Sequence, residues 1–167
     1  MDLKQTIKKL EKNNAFSSWK DRNKHTYFSY AFKIPQEMKN DEWQIGFYNR
    51  DKDKITTFTI TGDDVGIRHE EEMFKKEETK VKEIKIDNVK LSFDDVLSKA
   101  TEFQQENYPK DKALKTIVIL QNSDEFGDVW NVTFITEPFN TLNMKIDASD
   151  GKIKHHKISS IFSFRQE

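Results

Sequence analysis

Residues 129–153, VWNVTFITEPFNTLNMKIDASDGKI, decide the fold class of this 167-residue chain. Apolar and polar residues alternate on both sides of a turn at residues 137–140. The apolar members of the two alternating runs are Trp130, Val132, Phe134, Leu142, Met144 and Ile146. Because successive side chains of a β-strand point to opposite faces of a sheet, this pattern predicts an antiparallel hairpin with one buried face.

A similar arrangement occurs earlier in the chain. The segment WQIGF at residues 43–47 matches WNVTF at residues 130–134 at a separation of 87 residues, and the strands that follow match at a separation of 86. The difference of one residue falls in a hairpin turn, where changes in length are tolerated best. Two sets of alternating strands can resemble each other by chance, but the matched turn favours an internal repeat.

The first half also contains an earlier strand. Residues 27–35 alternate, and Phe28, Tyr30, Phe32 and Ile34 are predicted to share one face. Further strands predicted at residues 65–69 in the first half, and at 114–121 and 152–158 in the second, complete a four-stranded antiparallel meander in each half.

Helical patterns precede both meanders. The apolar spacing over residues 3–10 predicts a short helix that ends near Asn13. Ser92 and Asp95 have the spacing of a capping box at the start of a second helix. Between the halves, the charged run at residues 70–80 is typical of a solvated helix or linker.

These elements predict an α+β fold of two units, each a helix packed on a four-stranded antiparallel meander. The expected divisions are a first, degenerate repeat over residues 1–69, a charged connector over 70–90 and a second repeat over 91–167. The sequence leaves open whether the two halves share one sheet.

The second half resembles PepSY domains. The resemblance is carried by LSFDDVLSKA (residues 91–100), VWNVTF (129–134) and MKIDASDGKI (144–153), and it covers about residues 91–158. It implies a helix on a curved antiparallel sheet, similar to cystatin-like folds. PepSY domains occur in propeptides of thermolysin-type metallopeptidases and in cell-envelope proteins, so the resemblance also implies a regulatory role, with a peptidase as one candidate partner.

Composition argues against several classes of function. The chain has 28 basic and 29 acidic side chains, and this near-neutral charge does not favour binding to nucleic acid or an anionic membrane. The absence of cysteine excludes disulfides and a thiol nucleophile. The aliphatic run at residues 117–120 is far too short to insert into a membrane.

The amino-terminal 14 residues lack the apolar core of a signal peptide. We therefore expect a cytoplasmic location for the chain as given, or an extracytoplasmic one if a signal or anchor was removed. The oligomeric state is left open.

Motifs for catalysis and metal binding are missing from the sequence. It contains no HExxH, GxSxG or phosphate-binding loop, and His155 and His156, adjacent on a predicted strand, point to opposite faces. The acidic residues at 63–64, and Asp147 with Asp150, are interpreted as turn-forming, with calcium ligation as the alternative. We expect no enzyme, no metal site and no cofactor.

Two pairs of aromatic residues are candidate binding residues. Phe126 lies in a polar loop and Phe139 at a hairpin tip, where an exposed ring can anchor a partner or fold back over the sheet. Trp43 and Trp130 occupy matching strand positions, where core anchoring is the default and ligand stacking the alternative.

The sequence therefore favours a non-enzymatic protein-binding or regulatory module that uses Phe126 and Phe139. The alternative is a small-ligand carrier with a pocket between helix and sheet, close to Trp43 or Trp130.

Overall fold

The computed structural model describes residues 2–35, 41–72 and 80–162. These residues form three α-helices and eight β-strands, with a short 3₁₀ turn at Ile86–Asn88. The helices are α1 (Leu3–Glu11), α2 (Asn14–Arg22) and α3 (Phe93–Asn107). The strands are β1 (Thr26–Lys33), β2 (Trp43–Asn49), β3 (Lys54–Thr61), β4 (Asp64–Glu72), β5 (Ala113–Ser123), β6 (Gly127–Thr136), β7 (Asn140–Asp147) and β8 (Ile153–Ser160).

All eight strands belong to one antiparallel sheet, in the order β4-β3-β2-β1-β5-β6-β7-β8. Each half contributes a meander of four strands, and the meanders meet where Tyr30–Lys33 of β1 pairs with Val118–Gln121 of β5. This pairing satisfies backbone N–H and C=O groups along two strands that would otherwise form exposed edges.

The prediction of two separate helix-on-meander units is therefore wrong. Alternation along a strand shows which of its side chains are buried, but it does not show which strand lies beside it. The two first strands have complementary free edges, and their pairing joins the meanders into a single sheet. The prediction of an internal repeat stays a prediction, although Trp43 faces Ile60 across β2 and β3, as Trp130 faces Ile146 across β6 and β7.

The helices differ from expectation at one point. Residues 14–22, which carried no predicted element, form α2. Asn13, interpreted as a stop signal for the first helix, accepts hydrogen bonds from the backbone N–H groups of Ala15 and Phe16 and so caps α2. Asparagine favours both the end of one helix and the start of another, which explains the error.

The predicted start of α3 is confirmed. Ser92 accepts from the backbone N–H of Asp95 while the Asp95 carboxylate accepts from the N–H of Ser92, which is the expected capping box of α3. The prediction of a solvated helix or linker over residues 70–80 is wrong for residues 70–72, which extend β4, and residues 73–79 lie outside the described part of the chain.

The core lies on one face of the sheet, beneath the helices. Phe93 of α3 packs between the two halves, with its ring centroid 5.2 Å from that of Trp43 and 6.3 Å from that of Trp130. The Lys33 ammonium lies 4.9 Å from the centre of the Trp43 ring and pairs with Asp41. A second aromatic cluster, formed by Phe16, Trp19, Phe47 and Phe58, holds α2 against the first meander.

The segment before α3 passes from one face of the sheet to the other. Val81 lines a concavity on the face that lacks helices, whereas Ile84 is buried in the core on the helix side. The crossing occurs beside the amino-terminal part of β1, which precedes the residues that pair with β5. There, the backbone N–H of Ile84 donates to the carbonyl of Phe28 over 2.8 Å. The segment therefore takes the place of a strand beside β1.

Gly46 of β2 lies beneath the ring of Tyr30. A Cβ atom at this glycine would be only 2.0 Å from Cε1 of that ring, which is also held by a 2.7 Å hydrogen bond between its hydroxyl and that of Thr57. We predict that Gly46→Ala lowers the free energy of unfolding by about 1–3 kcal/mol, because the ring must move out of its packed position. Urea denaturation measures the change.

The matched background for this substitution is Tyr30→Ala. Without the ring there is no clash, so Gly46→Ala is expected to cost much less in that background than in the wild type. An equal cost in both backgrounds would contradict the assigned role of the glycine.

Candidate functional site

The face of the sheet opposite the helices contains a concavity of about 600 Å³. Its apolar wall consists of Tyr30, Phe32, Ile55, Val81 and Ile119. Gln121 lies on its floor, in the sheet beside Tyr30. Its polar rim consists of Ser29, Asn122, Ser123, Asp124, Glu125, Lys80 and Lys82. A volume in this range and an apolar wall with few polar groups are typical of sites for small molecules.

The shape of the wall depends on a β-bulge in β1. The register with β2 shifts between Phe28 and Tyr30, so that Phe28 packs against the core while Tyr30 and Phe32 face the concavity. The prediction that these three side chains share one face with Ile34 is therefore wrong for Phe28. An extra residue in one strand exchanges the two faces, and nothing in the alternation of residues 27–35 indicates where it lies.

The segment over the concavity is held at two points. The hydroxyl of Tyr27 donates to the carbonyl of Val81 over 2.8 Å. Nearby, the Lys82 ammonium forms a 2.8 Å ion pair with the carboxylate of Asp124, which belongs to the loop between β5 and β6. The wall thus joins both halves of the chain and the segment between them.

Two other concavities differ from this one in their lining or in the face of the sheet on which they lie. One of about 830 Å³ near α2 is lined largely by polar side chains, including those of Arg22, Lys52 and Lys54. One of about 330 Å³ lies between the sheet and helices α1 and α2, and Phe47 and Ile84 contribute to its lining.

Trp43 and Trp130 are fully buried, each with 0% exposure, and neither lines the concavities described above. Both rings contact Phe93 of α3. The indole N–H of Trp130 has no hydrogen-bond partner among the described residues. Both tryptophans therefore lie in the core, as the first of the two interpretations expects. The concavity of about 330 Å³ between helices and sheet does not include either ring in its lining.

Phe126 and Phe139 lie in different surroundings. Phe126 is half-buried and folds back over the sheet, where its ring stacks on that of His155 at 6.1 Å and faces the Lys145 ammonium at 5.0 Å. Phe139 is 56% exposed, and the nearby Phe162 is 63% exposed. The two exposed rings contact each other at 6.1 Å.

The histidines of β8 point to opposite faces, as predicted. His156 accepts or donates a 2.7 Å hydrogen bond with the hydroxyl of Tyr108 and contacts the ring of Phe103 on the helix side. His155 instead stacks on Phe126.

The acidic turn residues have hydrogen bonds of the kind that forms turns. Asp147 accepts from the backbone N–H groups of Ser149 and Asp150 at 2.8 and 3.2 Å, and Asp150 accepts from the N–H of Lys152 at 2.9 Å. Asp63 is exposed and pairs with Lys9. No group of three metal-ligating side chains is found within residues 2–35, 41–72 and 80–162.

Comparison with known proteins gives a match to the fold. No family model matches the chain, and no curated protein matches it. The structure is similar to the crystal structure of a "putative lipoprotein" from Clostridium difficile 630, with a TM-score of 0.57 and 10% identity over 90% of this chain and 97% of that one. The resemblance to PepSY domains stays a prediction. Among the described helices, none is long and apolar enough to cross a membrane.

Asp128, at the start of β6, has an unusual carboxyl group. Burial raises its pKa above the ordinary value and the charge of Asp147 raises it further, against the effect of a 2.7 Å hydrogen bond from the amide of Asn122. The folded state therefore binds this proton more tightly than the unfolded state, and ionisation lowers stability as the pH rises above about 4.

We predict that Asp128→Asn becomes more stable relative to the wild type as the pH rises from 3 to 7, because the amide keeps an acceptor for Asn122 and carries no charge. Urea denaturation at several pH values measures this difference. Asp150→Asn is the control with the opposite sign, because the hydrogen bond from Lys152 lowers the pKa of Asp150. A pH-independent difference for Asp128→Asn would contradict the assignment.

Proposed function

We propose that this chain is a non-enzymatic binding protein that holds a small apolar or amphipathic molecule in the concavity on the uncovered face of its sheet. The observation that carries the proposal is the wall of Tyr30, Phe32, Val81 and Ile119, which lies on the face without helices. The sequence predicts such a pocket near the tryptophans, between helix and sheet, whereas the proposed site lies on the opposite face.

The apolar wall supports this proposal on energetic grounds. Phe32 and Ile119 are only half-buried, although they pair directly at the centre of the sheet. Covering such side chains with an apolar molecule removes their surface from water, which is the main favourable term in ligand binding. The helices cannot supply this cover, because they pack on the other face.

The floor of the concavity is also preorganised. The Tyr30 ring lies on Gly46, and its hydroxyl is hydrogen-bonded to Thr57 at 2.7 Å. A ring that is fixed before binding loses little side-chain entropy when the ligand arrives.

A location outside the cytoplasm is part of the proposal. The C. difficile neighbour is described as a "putative lipoprotein". We therefore favour, for this chain too, the extracytoplasmic location that was the alternative above, with a signal or anchor removed from the sequence given.

The uncharged fluorophore N-phenyl-1-naphthylamine tests the site. We predict that the wild-type chain binds it with enhanced fluorescence and a higher melting temperature, and that Ile119→Asn raises the dissociation constant at least about tenfold, because the wall then contains a polar amide. Fluorescence titration measures the constant.

The matched control is Ile117→Asn. Ile117 lies two residues earlier on β5, is also half-buried and does not line the concavity. Its substitution is expected to leave the dissociation constant within about twofold. Equal losses in both variants, or no binding by the wild type, would refute the proposed site.

A second candidate function is contact with another protein through Phe139 and Phe162. Phe139 combines 56% exposure with a backbone φ of +57°, a conformation that a bulky side chain rarely adopts. Residues held in strained backbone conformations cluster at binding sites. This observation supports the protein-binding interpretation of the sequence, in which a peptidase is one candidate partner.

We predict that Phe139→Asn folds at least as well as the wild type, since asparagine tolerates positive φ, but loses a partner that contacts this end of the sheet. Crosslinking in source-cell extract compares the variant with Phe126→Ala, whose ring is folded against the sheet. If both variants recover the same partner in wild-type amounts, the Phe139 surface is not the contact.

A further inference from the structure

Gln121 lies on the floor of the concavity, at the seam between the two halves. It pairs with Tyr30 across β1 and β5 and faces the same side as the apolar wall. Its neighbours on the rim already have partners: the Asn122 amide donates to Asp128 over 2.7 Å, and Asp124 pairs with Lys82. Among the described residues, no hydrogen bond is made by the side chain of Gln121.

A glutamine amide can donate two hydrogen bonds and accept two. A ligand that covered this amide with carbon alone would remove it from water without replacing its hydrogen bonds, which weakens binding. The amide therefore favours ligands with a polar group at this point.

The charges of the rim indicate the kind of polar group. Lys82 and Asp124 form an ion pair and neutralise each other. The other two charged residues of the rim, Lys80 and Glu125, have opposite charges and are both exposed. Exposed charges of this kind contribute little to binding. A charged ligand group would lose hydration at the floor without gaining a buried partner of opposite charge, whereas a hydroxyl or amide would pair with Gln121.

We infer that the ligand of this site is an amphiphile with an uncharged hydrogen-bonding group, such as an alcohol or a carboxamide, placed against Gln121. Its apolar part lies along Tyr30, Phe32 and Ile119. This inference rests on the proposed function, because it names the class of molecule for that same concavity.

Displacement of N-phenyl-1-naphthylamine by four compounds with the same eight-carbon chain tests the inference. The compounds are 1-octanol, octanamide, octanoate and octyltrimethylammonium, at pH 7. We expect 1-octanol and octanamide to displace the fluorophore at concentrations at least about tenfold lower than either charged compound, which corresponds to about 1.4 kcal/mol of discrimination.

The contribution of Gln121 is tested with Gln121→Leu. In this variant the affinity for 1-octanol and octanamide, measured relative to the affinity for the fluorophore, is expected to fall about threefold to tenfold, the value of one hydrogen bond. Gln44→Leu is the matched control. Gln44 belongs to β2 and lies on the same face of the sheet as Gln121, but it does not line the concavity.

The outcomes separate the two proposals. If the fluorophore does not bind the wild type, the proposed function fails. If it binds and a charged compound displaces it as well as 1-octanol does, the site stands and the uncharged class is refuted. If the neutral compounds are preferred equally by the wild type and Gln121→Leu, the assignment of that preference to Gln121 is refuted.

Discussion

The structure depends on the four-residue pairing between β1 and β5. It converts two meanders, each with a free first strand, into one sheet with only two outer edges. The same seam is reinforced on the helix side, where Phe93 packs between Trp43 of the first half and Trp130 of the second. Backbone hydrogen bonds fix the register of the seam, and the three rings bury it, so neither half completes its core alone.

The outer edges explain part of the high charge content. At one of these edges, β8 carries Lys154 and Lys157 with two histidines between them. Charged side chains on an edge strand oppose pairing with other chains. These lysines therefore lie where a long open sheet needs protection against pairing.

The sequence predicts local structure here better than it predicts neighbours. The capping box at Ser92 and the buried positions of β6 and β7 follow from spacing alone, because both depend on residues close together in the chain. The β1–β5 pair joins residues almost 90 positions apart, and its register depends on backbone groups that every residue has. Alternation contains no information about such a contact.

The candidate site could not be predicted from the sequence either, because alternation does not show strand register. The alternation of residues 27–35 predicts that Tyr30 and Phe32 share one apolar face with Phe28, whereas the bulge in β1 turns them to the other side. The sequence therefore predicts contact through Phe126 and Phe139, with a pocket near Trp43 or Trp130 as the alternative, and both tryptophans are fully buried. The half-buried Ile119 and the unremarkable Gln121 had no signal that distinguished them from other strand residues.

The concavity itself is a consequence of the seam. The pairing of β1 with β5 stops at Tyr30 and Gln121, and beyond that point the segment before α3 crosses the sheet beside Phe28. Phe32 comes from the first half, Ile119 from the second, and Val81 from the crossing segment. Since each wall belongs to a different part of the chain, the site exists only when the two meanders are joined. A ligand that binds there would stabilise the seam against separation of the halves, because it binds only the joined state.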